Sequence, residues 1–268
     1  MFFLRMSEVS VVIPIYKSAP DKQDVAAIVQ CQKILGAYPI VFVCAEGFLA
    51  DAYLSLIPAA SIERFPKHYF EDVAGYNKLM LSLDFYQRFS KYPYILIHQT
   101  DAWVFRDELK DWCSKGYDYI GAPVHKFRLD NFTPEIKIAT LNGGFSLRKT
   151  ASCIRLLKSF HFIYKFGDIL QANQKQAGPL LGFLKAVSFY FRGNNTYYAW
   201  NKYDRNEDYF FALIAPAKDS RFKVAPPEES AYFSFDKMPE LSFEMTNRTL
   251  PFGAHAIEKY MYFWKDKI

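Results

Sequence analysis

Short apolar runs alternate with longer amphipathic stretches through the first hundred residues. Ser10-Val-Val-Ile-Pro-Ile-Tyr16, Pro39-Ile-Val-Phe-Val-Cys44 and Tyr94-Ile-Leu-Ile-His98 are compact and rich in Val and Ile, which predicts buried strands; Ser61–Phe65 predicts a shorter one. Between them, Val25, Ile28, Val29, Ile34 and Leu35 recur near helical spacing and predict a helix over Asp24–Leu35. A short helix is expected over Gly47–Leu56. A long one is expected over Gly75–Phe89, with Leu79, Leu83 and Tyr86 on its apolar face. Strands and helices in alternation imply parallel pairing through right-handed crossovers, as in a nucleotide-binding half of an α/β domain.

The second half is less regular. Gly116–Pro123 reads as a short strand running into a turn and His125–Leu141 as a long polar loop. A helix follows from about Lys149 to Ser159, then an aromatic, basic, glycine-punctuated stretch. With no internal repeat, low-complexity tract or linker, the expected organisation is one compact domain over 1–268 with an inserted or lid-like segment at about 160–205.

The fourth apolar run ends abruptly in Gln99, Thr100 and Asp101 before Ala102-Trp-Val-Phe105 resumes. A strand that delivers a carboxylate to the carboxyl edge of a sheet puts it where ligands of open α/β sheets bind. Asp101 is then either a cap on the next element or a ligand for metal or phosphate.

At 51% hydrophobic and 18% aromatic, 268 residues can bury one sizeable core. The 26 Phe and 19 Tyr suit that core, and also a cleft that stacks sugars or bases. The net charge of +5 comes from both signs spread along the chain, without a polybasic run. That argues against a dedicated nucleic-acid binder and is compatible with an anionic ligand or membrane surface. Cys31, Cys44, Cys113 and Cys153 form no Cys-x-x-Cys pair, which fits a reducing, cytoplasmic setting better than a zinc or disulfide scaffold. Met1–Met6 is too short for a signal peptide, and no run nears the roughly 18 apolar residues of a membrane span, so the chain is expected to be soluble or peripheral at most. No Gly-x-Gly-x-x-Gly or Gly-x-x-x-x-Gly-Lys-Ser/Thr follows the first strand.

Several polar groups stand in apolar settings. Asn142-Gly143-Gly144 is either a tight turn or a place where backbone approaches a ligand. Glu207 and Asp208 open an expected helix, where ordinary first-turn acids capped by Asn206 compete with a general base. His255 follows a glycine loop. Tyr76, Asn77 and Gln99 either bond a base or ribose or pair inside the core. The apolar segment Gly178–Arg192 is a helix packed on the core, or a patch that meets a membrane or lipid-linked acceptor with Lys185 and Arg192 beside anionic head groups. Asn194, Asn195, Tyr197, Tyr198 and Trp200 are then candidates for an acceptor cleft or lid.

Taken in order, Tyr76-Asn77, His98-Gln-Thr-Asp101, Gly116–Pro123, Asn142–Arg148, Asn206-Glu-Asp208 and Pro251-Phe-Gly-Ala-His255 resemble the GT-A class of nucleotide-sugar glycosyltransferases. More narrowly they resemble a family known as a domain of unknown function with that fold. The likeness covers about residues 9 to 264. It implies a GT-A-like, Rossmann-like mixed sheet flanked by helices. It further implies a nucleotide diphosphate sugar as donor, a glycan or lipid-linked acceptor in glycan or surface polysaccharide synthesis, and a divalent Mn²⁺ or Mg²⁺. Under it, Asp101 matches the last acid of the metal-holding Asp-x-Asp, while Gln99 stands where the first acid would be. His255 matches the C-terminal metal ligand, and Asn142-Gly143-Gly144 matches the loop at the donor sugar. Glu207-Asp208 matches the acidic motif that supplies the base in inverting members, with Asp208 as base. Pro14, Tyr16, Tyr76 and Asn77 would meet the nucleoside. Two further readings stay open: a sugar-nucleotide-binding protein without transfer activity, and a nucleotidyltransferase acting on sugar phosphates.

Overall fold

The computed structural model describes residues 8–127, 136–203 and 205–268. Its strands are β1 Val9–Pro14, β2 Ile40–Ala45, β3 Ser61–Phe65, β4 Tyr94–His98, β5 Trp103–Val104, β6 Tyr119–Ile120, β7 Pro123–Phe127, β8 Ile136–Thr140, β9 Phe145–Lys149, β10 Ser234–Phe235 and β11 Gly253–Ala254. The central sheet runs β3-β2-β1-β4-β9-β6. Its first four strands are parallel, as the alternation of elements predicts. β9 runs antiparallel to β4 and β6, so the sheet is mixed and flanked by helices, the GT-A-like architecture that the resemblance implies.

Both faces of β1 and β4 are covered, which is why these strands read as unbroken apolar runs. On one face Val9, Val11, Ile13 and Leu96 pack with Phe42, Cys31 and Leu35. On the other, Val12, Ile95 and Ile97 meet Phe85, Tyr86 and Phe211. The helix Lys22–Leu35 begins two residues earlier than its periodicity suggests, because Asp21 and Asp24 form a reciprocal capping box and Lys17 bridges both carboxylates at 2.7 and 2.8 Å.

Four expectations change. Gly75–Phe89 is two helices, Val73–Met80 and Leu83–Arg88, because Ser82 Oγ accepts the Phe85 N–H at 3.2 Å and starts a new helix. Gly47–Leu56 contracts to Asp51–Leu54. The supposed loop His125–Leu141 is framed by the antiparallel pair β7–β8; its stretch 128–135, like Met1–Met6, lies outside the described residues. The segment Gly178–Arg192 does not bury its apolar side chains in the core: it is the helix Pro179–Arg192, paired with Phe166–Ala177 across Gly178. A φ of +79° makes glycine the fitting residue at that hinge.

Asn194, Asn195, Tyr197 and Tyr198 do not line the cleft described below. Asn194 exchanges hydrogen bonds with the Tyr164 backbone at 2.7 and 2.8 Å, and Asn195 caps the turn at Tyr198. Tyr197 and Tyr198 are exposed elsewhere, and the Trp200 side chain lies outside the described residues. Among the described residues, no helix is long and apolar enough to cross a membrane.

Candidate active site

The strand order reverses between β1 and β4, and their carboxyl ends open a crevice there. Antiparallel β9 matters because it begins where β4 ends: Phe145 pairs with His98, and Gln99 N–H donates to Gly144 O at 2.9 Å. The Asn142-Gly143-Gly144 loop is thereby set beside Gln99-Thr100-Asp101. A second, small sheet β10-β11-β5 brings in the far end of the chain. Antiparallel pairing of β11 with β5 carries His255 to Asp101, and parallel pairing with β10 carries Asp236 to His255.

The result is a cleft of about 540 Å³, within the range of small-molecule sites. Pro14 borders it at the end of β1 and Tyr16 just beyond, and Tyr76 and Asn77 from the helix Val73–Met80. Gln99 and Asp101 border it after β4, and Asn142, Gly143 and Gly144 before β9. Glu207, Asp208 and His255 complete it, so the catalytic, donor-binding and metal candidates read from the sequence all line one cavity. Tyr69, Phe70, Glu71 and Asp72 form a further wall, and Lys259 adds a cation.

His255 is the hub. Its Nε2 lies 3.2 Å from Asp101 Oδ1 and 3.0 Å from Gln99 Oε1, and its Nδ1 lies 3.1 Å from Asp236 Oδ1. Burial alone would lower the imidazole pKa, but the hydrogen bonds and charges of Asp101 and Asp236 outweigh it and raise it to about 9. Burial likewise works to raise the Asp101 carboxyl, and His255 with Lys259 brings it below its ordinary value. Asn142 sits at φ +26° and accepts the Gly144 N–H on Oδ1 at 3.1 Å. The left-handed residue of this loop is therefore the asparagine; the two glycines serve close approach. A Cβ at Gly144 would overlap the His255 ring and crowd Gln99, and one at Gly143 would overlap the Glu207 carboxylate.

Glu207 and Asp208 part company. Glu207 is 3% exposed and its Oε1 accepts from Arg148 Nη2 at 2.9 Å. Arg148 is itself fully buried in β9 and also donates to Tyr86 Oη and Ser146 Oγ. Glu207 Oε2 is buried without a hydrogen-bond partner among the described residues, and the Tyr76 hydroxyl is buried near Glu207 and Gln99. Asp208 faces the cleft, and burial, with Glu207 adding repulsion, lifts its carboxyl to about 7. Asn206 does not cap with its side chain; Asn77 does so from another helix, accepting Glu207 N–H at 3.1 Å and donating to Asn206 at 3.3 Å. Asn77 thus pairs internally and also lines the cleft.

Sequence reading missed Asp236, Arg148 and Lys259 as site residues. Ser234-Phe235-Asp236 carries the same signal as Asp101, an apolar strand ending in an acid, but over two residues only. Arg148 was visible as a cation inside an apolar strand.

Fold and cleft together define an α/β protein with a carboxylate–imidazole–carboxylate cluster in a cleft at its switch point. The chain belongs to the family described as Protein of unknown function (DUF5672), whose model matches residues 59–255. No curated protein matches. Among solved structures, it is similar to core-mannan synthase A from Aspergillus fumigatus in its Mn/GDP form (8% identity, 71% of each chain, TM-score 0.44). It is also similar to a mannosyltransferase from S. cerevisiae in complex with GDP (11% identity, 71% of this chain and 65% of that one, TM-score 0.40). A third likeness is to a glycosyltransferase involved in glycosylation of the major capsid of PBCV-1 (9% identity, 92% of this chain and 91% of that one, TM-score 0.40).

Proposed function

We propose that this chain is a glycosyltransferase that moves a sugar from a nucleotide diphosphate sugar to an acceptor hydroxyl, with inversion at the anomeric carbon. One observation carries the reading: Asp208, a cleft-facing carboxylate that burial lifts to about 7, shares a single cleft with the carboxylate-flanked imidazolium of His255 and the ammonium of Lys259. These cations suit a departing diphosphate and the Asp208 carboxylate suits an incoming hydroxyl. Asp208 takes the acceptor O–H proton as that oxygen bonds to the anomeric carbon. The bond from that carbon to the diphosphate oxygen breaks, and the nucleoside diphosphate leaves. The His255 imidazolium and Lys259 face the growing negative charge. Gly143 and Gly144 let Glu207 and His255 close on the loop that borders the donor site, and Tyr16, exposed after β1, offers a stacking surface to the base.

The residues present fit a divalent cation that the substrate completes. Asp101 Oδ1 and Gln99 Oε1 lie 3.2 and 3.0 Å from His255 Nε2, which would join them as a ligand once it gives up its proton, and Asp236 supports the other nitrogen as carboxylates do behind metal-bound imidazoles. Among the described residues, no three His, Cys, Asp or Glu side chains enclose a cation, so the set suits an open site that takes phosphate and water oxygens. A bound Mn²⁺ or Mg²⁺ would supply charge stabilisation for the leaving group. The four cysteines are buried free thiols, which supports a cytoplasmic setting for glycan or surface polysaccharide synthesis.

Gln99 in place of an acid favours the second reading, donor binding without transfer. The loop Ile15–Pro20 lacks glycine, which disfavours a nucleotidyltransferase; pyrophosphate release would mark one. The deciding experiment is a thermal-shift screen of nucleotide sugars with and without Mn²⁺, followed by an assay of nucleoside diphosphate release on the stabilising donor. A rise in Tm is expected for one donor class, since ligand binding to the native state stabilises it by mass action. If no nucleotide sugar shifts the melt, the reading fails. If a donor binds but no acceptor releases diphosphate, the non-transferring reading takes its place.

A further inference from the structure

The helix Pro179–Arg192 is built inside out. It presses on its neighbour through small residues: only Gly182 and Ala186 are buried, and a Cβ at Gly182 would meet the backbone of Asn173 and Gln174. At the open end of the hairpin Tyr190 stacks at 4.2 Å on Phe162, which precedes the first helix, with Phe166 edge-on at 5.2 Å. The bulky residues left over point away from the protein. Leu180 is 76% exposed, Leu184 58% and Phe191 62%, and these three lie within about 40° of one another around the helix axis. The fold draws little from them.

We propose that this outward face is a docking site for an anionic lipid surface, on which Leu180, Leu184 and Phe191 enter the headgroup boundary and Lys185 and Arg192 meet lipid phosphates. The occupant follows from charge complementarity. Residues 160–192 hold Lys165, Lys175, Lys185 and Arg192 against the single acid Asp168. Lys185 and Arg192 are exposed and flank the apolar stripe on one side. Apolar centre and basic margin are the make-up of a helix that lies in a membrane interface. A second copy of this chain would bring the same basic margin and repel. The hairpin is also coupled to the cleft: the chain runs from Arg192 through the helix Ala199–Lys202, which packs on Val73–Met80, and then to Glu207 and Asp208. A docked hairpin would hold the cleft near the surface where lipid-linked acceptors reside.

Co-sedimentation of the full chain with phosphatidylcholine vesicles, with and without phosphatidylglycerol, tests this. Binding is expected only with phosphatidylglycerol. It should fall at least about tenfold in Leu180→Asp/Leu184→Asp/Phe191→Asp, and again at high salt or in Lys185→Glu/Arg192→Glu, with melting temperatures unchanged. No vesicle binding, or binding that the triple variant retains, overturns the proposal. So does a dimer in light scattering that the triple variant disperses, which would make the face a self-interface. Vesicle binding requires no donor sugar, so this result is independent of whether transfer is found.

Discussion

Asp208 and His255 are pushed in the same direction by opposite means. Burial beside Glu207 disfavours the Asp208 anion, and two flanking carboxylates favour the His255 cation. For Asp208 the consequence is kinetic: kcat/KM should rise with pH through about 7, and Asp208→Asn should lower transfer by about 10² to 10⁴ while donor binding in the thermal-shift assay persists. Wild-type turnover by that variant would remove Asp208 from the mechanism. Gln99 sets the cation affinity. Gln99→Glu restores a second carboxylate with the same reach, and Mn²⁺ titration should show binding tightened about tenfold or more. Gly144→Ala tests the close approach. Its methyl group would displace the His255 ring, so it should abolish donor-induced stabilisation and lower intrinsic stability by about 1–3 kcal/mol in chemical denaturation.

The elements meet through a few buried polar joints. Arg148 ties β9 to the helical run 207–218 through Glu207, and to the helix Leu83–Arg88 through Tyr86. Removing one member of such a pair leaves an uncompensated charge in the core. Arg148→Met should therefore cost about 3–5 kcal/mol in urea unfolding, and Arg148→Met/Glu207→Leu should recover a large part of it. A double variant as unstable as the sum of the singles would deny the coupling. These joints mark where sequence reading failed. Asp24–Leu35 and β1 to β4 were legible because their signals are local: apolar period, Val and Ile content, a capping acid. The break at Ser82 was not, since Leu79, Leu83 and Tyr86 satisfy one helical face whether or not the backbone pauses between them.

Across the molecule, both raised pKa values act on stability with one sign. A group whose folded pKa lies above its unfolded value stabilises fully below the unfolded value, and that contribution is lost as pH rises through the folded one. Asp208 loses its share between about 4 and 7, and His255 between about 6.5 and 9. The ligand-free protein should melt lower at pH 9.5 than at pH 5, and His255→Gln should flatten the alkaline part of that decline in a calorimetric series. An unchanged decline in His255→Gln would show that the imidazole is not what titrates.

The order of elements, the parallel half of the sheet and the delivery of Asp101 to its edge were present in the residues alone, because apolar periodicity and capping act over a few positions of chain. Asp101 nonetheless stood open between cap and ligand. The closing of His255 against it depends on β5 pairing with β11 some 150 residues later, and Asp236 joins through β10. Apolarity announces that a side chain avoids water without saying what covers it. The same kind of run therefore became a core strand in β4 and an outward-facing helix surface at Leu180–Phe191. Which of the two occurs is decided by the neighbours that long-range packing supplies.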